Sequence, residues 1–145
     1  MLLGTYPARF ASGHRIAVPA QFRAYLGETY VLAKWYEECL VLFDGESWLA
    51  LYKRLVGEEK TIIGSIRDTE RFILGSAYEA EADNQGRIVV PERLATYAHF
   101  GEEIYFIGLG DRVEIWDKNI WEEKEKSVAK DAAKYIEELS KNEKR

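Results

Sequence analysis

Two arginines sit where a side chain can meet a ligand. Arg15 follows the polar run Ala11-Ser12-Gly13-His14 and leads into Ile16-Ala17-Val18-Pro19. Arg87 follows Asp83-Asn84-Gln85-Gly86 and leads into Ile88-Val89-Val90-Pro91. In both places a turn precedes a strand with alternating apolar residues. A duplex major groove admits a two-stranded ribbon, and an arginine fork can donate to guanine O6 and N7 together. Arg15 and Arg87 are therefore candidate base-reading residues. The alternative is local: each guanidinium pairs with a carboxylate and fixes its own turn, as Asp83 is placed to do for Arg87. Glu79, Glu81, Asp83 and Glu92 surround Arg87, whereas no acid lies near Arg15 in sequence. Arg9, before the first tip, and Arg23, beyond it, are candidates for phosphate contact, which positions a protein without specifying sequence. Arg23 also reads as a solvated surface arginine. His14 at the tip either donates to phosphate or base or has no role. Gly13 and Gly86 are the residues able to supply a positive φ in the two turns.

Other chemistries find no constellation. The two histidines, His14 and His99, are far apart and lack metal-ligand spacing. Cys39 stands alone, so it forms no internal disulfide, and its place at the head of the apolar run Leu40–Phe43 predicts a buried thiol. Ser12-Gly13-His14 is not a nucleophile elbow. Gly108-Leu109-Gly110 lacks the rest of a dinucleotide fingerprint and reads as a hairpin turn. The expectation is a protein with no catalytic residues, no metal and no cofactor. The 145 residues are 47% hydrophobic and 31% charged, a globular composition. No apolar run is long enough to span a bilayer, and the N-terminal residues do not resemble a signal peptide, so a cytoplasmic location without a membrane partner is expected. The net charge of −5 opposes nucleic-acid binding, but residues 1–27 hold Arg9, Arg15 and Arg23 and no acid. A cationic face would have to be small, or multiplied by assembly.

The elements that carry the arginines recur. Arg15–Pro19 reappears as Arg87–Pro91 after 72 residues, and Tyr6, Phe22 and Tyr25 fall on Tyr78, Leu94 and Tyr97 at the same offset. After small length changes Gly27-Glu28 falls on Gly101-Glu102, Phe43-Asp44 on Trp116-Asp117, and Trp48 on Trp121. Each copy reads β-β-α-β-β. The first strand and turn lead to the arginine strand, then a proline at the first helical position. A short helix follows (Ala20–Leu26, Glu92–Ala98), then two strands (Tyr30–Lys34 with Leu40–Phe43, and Ile104–Gly108 with Val113–Trp116). A linker helix follows Asp44, its expected N-cap, with Trp48, Leu51, Tyr52 and Leu55 on one stripe. A second is expected over Ile66–Leu74, ending at Gly75. Trp121 to Arg145 reads as a charged helix with a weak stripe of Val128, Ala132, Tyr135, Ile136 and Leu139. The fold expected is α+β: units at 1–48 and 77–121 about a pseudo-twofold axis, forming a barrel-like core, with a helical linker at 49–76 and a C-terminal helix at 122–145. Neither unit, at about 45 residues, can bury much core alone.

Taken together, the chain resembles the MraZ family, whose members carry two tandem AbrB-like swapped-hairpin units. The family motif places Asp four residues before Arg, with Gly directly before that Arg, then an alternating strand and Pro. Asp83-Asn84-Gln85-Gly86-Arg87-Ile88-Val89-Val90-Pro91 matches it throughout. Leu74-Gly75-Ser76-Ala77 and Val113-Glu114-Ile115-Trp116-Asp117 are also similar to the family. The first copy departs from the motif, with Ala11 in place of Asp, His14 in place of Gly, and Gly13 one position early. The resemblance implies a nucleoid-associated transcriptional regulator that binds double-stranded DNA at short G-rich direct repeats. It implies a site upstream of the protein's own operon, at the head of the division and cell-wall gene cluster. It also implies a ring-like homo-oligomer. A different class stays open: an antitoxin-like interaction module whose C-terminal helix binds a partner protein.

Overall fold

The computed structural model describes residues 1–56 and 63–143. Among these residues eight strands and five α-helices lie in the order β1 (Leu2–Arg9), β2 (Arg15–Ala17), α1 (Ala20–Leu26), β3 (Thr29–Lys34), β4 (Leu40–Asp44), α2 (Gly45–Leu55), α3 (Gly64–Ile73), β5 (Tyr78–Glu81), β6 (Arg87–Val89), α4 (Glu92–Tyr97), β7 (Glu103–Gly110), β8 (Val113–Asp117) and α5 (Lys118–Glu143). The class is α+β, with every strand pair antiparallel.

Six strands form one sheet in the order β1-β7-β8-β4-β3-β5, and β2 pairs with β6 as a separate ribbon. The ladders obey the sequence offsets. Tyr6↔Phe106 in one ladder maps onto Tyr78↔Leu32 in another, Leu40↔Ile115 maps onto Val113↔Leu42, and Ile16↔Ile88 maps onto itself. First-half β1 thus pairs with second-half β7, and second-half β5 with first-half β3. The expected barrel does not close among the described residues. Strands β1 and β5 end the sheet on opposite sides, and β2 and β6 pair only with each other. The arginine strands are three residues long, too short to bridge both edges of the sheet.

Central strands such as β3 and β4 are runs of apolar residues because both faces are covered. On one face Ile16, Ile88, Phe22 and Leu94 pack with Leu32, Leu42, Phe106 and Ile115. On the other, Leu51 and Ile73 cover Ala33, Val41 and Phe43, while Ile120 and Trp121 cover Cys39, Ile107 and Trp116. Asp44 caps α2 by accepting from the Ser47 amide at 3.1 Å, as expected. Leu51 of its stripe is buried, but Tyr52 is exposed. The prolines fall at the N-cap positions of α1 and α4, one residue before the first helical turn, because their ψ of 137° and 143° is extended. Helix α3 starts two residues earlier than expected and passes through Gly75 as a 3₁₀ turn, Leu74–Ser76.

Two local expectations need correction. Gly108-Leu109-Gly110 is not a turn but the end of β7, and the reversal falls at Asp111-Arg112. Gly108 is required by close approach, since a Cβ there would lie 2.7 Å from the Leu2–Leu3 backbone of β1. The C-terminal helix begins at Lys118 rather than Trp121, capped by Asp117, whose Oδ2 accepts from the Asn119 amide at 3.2 Å and the Ile120 amide at 3.3 Å. Its expected stripe is solvated: Val128, Tyr135, Ile136 and Leu139 are all exposed.

Candidate nucleic-acid interface

The ribbon is where the two arginine strands meet. Its register sets Arg15 opposite Val89, Ile16 opposite Ile88 and Ala17 opposite Arg87. Side chains alternate across a strand, so Ile16 and Ile88, both fully buried, turn into the core. Arg15, Ala17, Arg87 and Val89 turn outward. Arg15 and Arg87 are then diagonal neighbours on one face, with Cβ atoms roughly 7–8 Å apart. No carboxylate stands among the four outward residues.

The second tip is tightly tied. Asp83 Oδ1 accepts from the amides of Gln85 and Arg87, both at 2.9 Å, and Oδ2 accepts from Arg87 Nε at 2.9 Å. The Arg87 amide, then the Gln85 amide and the guanidinium, hold the Asp83 carboxyl below its ordinary range. The carboxylate engages Nε and leaves the terminal nitrogens of Arg87 out of that bond, so pairing and outward presentation coexist. Gly86 takes φ +76°. It is also the floor for Arg23, whose guanidinium occupies the space a Cβ at Gly86 would need.

Arg23 therefore differs from the solvated arginine of the sequence reading. It is half-buried, and its Nε is buried with no hydrogen-bond partner among the described residues. This role was missed because the contact spans 63 residues of chain. The local signal that existed was Gly86 itself, a residue without a side chain beside a tip.

The first tip is built otherwise. Without an Asp at position 11 the turn has no side-chain brace among the described residues; it keeps the backbone bond common to both tips, the Ala11 amide to the Arg15 carbonyl at 2.8 Å and the Asp83 amide to the Arg87 carbonyl at 2.9 Å. Two consecutive residues, Gly13 at φ +75° and His14 at φ +57°, take left-handed backbone. A Cβ at Gly13 would lie 2.6 Å from Arg15 Nη1, so the guanidinium folds back over the glycine. Arg15 is exposed and makes no ion pair among the described residues. His14 shares the lining of one cavity with Phe10, Glu92 and His99, and its carbonyl accepts from the Val90 amide at 3.0 Å, which ties the first tip to the second arginine strand. Arg9 is held away from the ribbon by Glu102 and Glu103, each at 3.0 Å. Lys118, then Arg9, pull the Glu103 carboxyl below its ordinary range. The structure thus joins Arg15, Arg87, Asp83 and Gly86 in one ribbon and its turns, and sets Arg9 to one side.

No cluster of metal-ligating residues occurs among the described residues, and no described helix is long and apolar enough to cross a membrane. Cys39 is buried, and its thiol is pushed well above its ordinary range, by burial first and then by Glu114 and Glu37.

The family model that matches is described as "MraZ protein, putative antitoxin-like", and it matches residues 1–68 and 73–142. A transcriptional regulator MraZ of Caldanaerobacter subterraneus subsp. tengcongensis is 39% identical over 131 residues, covering 88% of this chain and 89% of its own. One from Thermoanaerobacter pseudethanolicus is 35% identical over 146 residues, covering 97% and 99%. Among solved structures, that of PHS018 from Pyrococcus horikoshii is similar at 15% identity over 79% of this chain and 88% of that one, with a TM-score of 0.30.

Proposed function

The chain belongs to the MraZ family of transcriptional regulators, and on that premise we propose that it binds double-stranded DNA through the outward face of the β2–β6 ribbon. Its relatives are named transcriptional regulators, and its role is regulatory rather than enzymatic. The observation that carries the proposal is the register that sets Arg15 and Arg87 on one exposed face. In this reading Arg15 makes a bidentate contact to guanine O6 and N7. Arg87 does the same with Asp83 aiming it. His14 acts as a phosphate contact, Arg9 becomes one only on release from Glu102 and Glu103, and Gly13, Gly86 and Asp83 hold the turns. The target is a set of short G-rich direct repeats upstream of the protein's own operon, in the division and cell-wall cluster, which places the protein at the nucleoid.

The reading treats residues 1–48 and 77–121 as two tandem AbrB-like units, with a linker at 49–76 and a terminal helix at 122–145. The offset-preserving ladders and the two matched segments support it. It also takes the protein as a ring-like homo-oligomer, because two outward arginines on a chain of net charge −5 bind weakly alone. Linking equivalent sites raises affinity without new contacts. Light scattering should give an oligomer; a monomer at micromolar concentration, with and without DNA, removes this part. The test of function is a gel shift at fixed salt with the upstream repeats and a shuffled duplex. Preference for the repeats is expected, and equal binding to both removes the assignment of base reading. The exposed stripe of α5 favours a second reading, an antitoxin-like contact with a partner protein. Truncation before Val128 would then abolish partner capture and leave the gel shift unchanged.

A further inference from the structure

Three cations from three elements line one cavity of about 370 Å³ that none of the ribbon's outward residues lines: Lys34 at the end of β3, Arg71 near the end of α3, and Arg93 on α4. Among the described residues no carboxylate lines it. We propose that this cavity is a binding site for a phosphate group.

Like charges gathered on one cavity repel unless a counter-charge joins them. Their partners neutralise them only in part. The Lys34 ammonium lies 5.2 Å from the centre of the Tyr97 ring. Arg71 pairs with Asp68 at 2.7 Å, but both ends of that bridge are exposed and screened. Arg93 is exposed and makes no ion pair among the described residues. Ser76 is not a free ligand, since its Oγ accepts from the Lys34 amide and donates to the Ile73 carbonyl, both at 2.9 Å. The recognition is therefore cationic, as an oxyanion requires. Two arginine forks and an ammonium suit a phosphate's several acceptor oxygens.

Comparison of the two halves argues against a structural role. The sequence offsets carry Lys34 onto Gly108 and Arg93 onto Gln21, both uncharged. Those two positions are filled there without cations, so the fold does not need a charge at either; Arg71 has no counterpart in the first half. Pro91 lines the cavity and follows Val90, whose amide is bonded to His14 of the first tip. A phosphate at this place comes either from a duplex lying on the ribbon or from a free phosphorylated molecule. The duplex source rests on the function proposed above; the free source does not.

The experiment compares the parent with Arg93→Gln and Lys34→Gln, each first shown by circular dichroism to be folded. Calorimetric titration with pyrophosphate at constant ionic strength should give saturable binding in the parent and at least a tenfold weaker affinity in either variant. In parallel, affinity for a shuffled duplex is measured against salt. If a duplex phosphate occupies the cavity, the log–log slope falls by about one for each cation removed. Saturable pyrophosphate binding lost in the variants, with the slope unchanged, assigns a free phosphorylated ligand. A reduced slope assigns the duplex backbone. Parent and variants alike in both measurements overturn the site. A parent that ignores DNA altogether sinks the DNA reading, while the pyrophosphate titration still decides this one.

Discussion

Arg15→Ala separates sequence reading from every other role of the ribbon. The side chain is exposed and has no ion pair among the described residues, and β2 has ordinary strand backbone at this position. Folding stability should therefore change by no more than about 0.5 kcal/mol. A lost bidentate guanine contact costs roughly 1–3 kcal/mol. At about 1.4 kcal/mol per factor of ten, that is roughly 5- to 150-fold for one engaged subunit. Two subunits of one assembly on neighbouring repeats would lose about 2–6 kcal/mol, or roughly 30- to 20,000-fold. Arg15→Lys keeps the charge and loses the fork, so it should lose preference for the repeats and keep affinity for a shuffled duplex. Arg87→Ala should lose less than Arg15→Ala, because Asp83 already offsets part of the Arg87 charge. The assay is fluorescence anisotropy on both duplexes at one salt concentration, since phosphate contacts make every affinity salt-dependent. An Arg15→Ala protein that keeps its oligomeric state and binds the repeats as the parent does refutes the reasoning.

Gly86→Ala combines a φ of +76° with a collision against the Arg23 guanidinium, and should destabilise by about 1–3 kcal/mol in urea unfolding. Adding Arg23→Ala should recover the collision and leave the backbone strain; no recovery would mean that Arg23 is not packed on the glycine. Asp83 has a depressed carboxyl, so its contribution is present above the unfolded value and lost as pH falls through the folded one. The Gln85 and Arg87 amide resonances should titrate together with a midpoint below 3.8, and Asp83→Asn should flatten both; a midpoint at or above that value contradicts the hydrogen-bonded turn. Cys39, buried and with its thiol pushed up, should resist iodoacetamide at pH 8 until the protein is unfolded. Rapid labelling of the native protein would show the strand packing around it to be wrong.

What the sequence made legible was whatever depends on near neighbours. The run Leu40-Val41-Leu42-Phe43 reads as an apolar strand, and Asp44 ahead of the linker helix reads as its cap. The offset between the arginine strands was visible because residues facing one core repeat together. Contacts across the chain were not visible. Gly108 looks like a turn residue until β1 is laid against β7 and its missing Cβ makes room for Leu2. Arg9 looks like a free cation near a tip until the same ladder brings Glu102 and Glu103 beside it. Closure of the sheet could not be read either, because it depends on whether two edges meet.

The two tips reach the same backbone reversal with different means, and the difference bears on how each arginine would act. At the second tip a single left-handed glycine suffices, because three hydrogen bonds to Asp83 carry the turn and seize Nε of Arg87. That arginine is ordered before any contact, but a carboxylate stands beside it and weakens its field. At the first tip a left-handed histidine is needed besides the glycine, a strain of order 1 kcal/mol or more that no side-chain hydrogen bond among the described residues offsets. Arg15 keeps its whole charge and its freedom. Ordering it on contact costs roughly 0.5–1.5 kcal/mol, a loss the aligned Arg87 has largely met in folding. Charge acts at a distance and alignment acts only at contact. In the proposed complex both arginines read guanine: Arg15 adds the stronger attraction on approach and orders its fork on contact, whereas Arg87 enters the groove with its fork already aligned. Replacing Ala11 by the Asp of the second tip would not improve the first tip, because it would exchange one of these contributions for a second copy of the other.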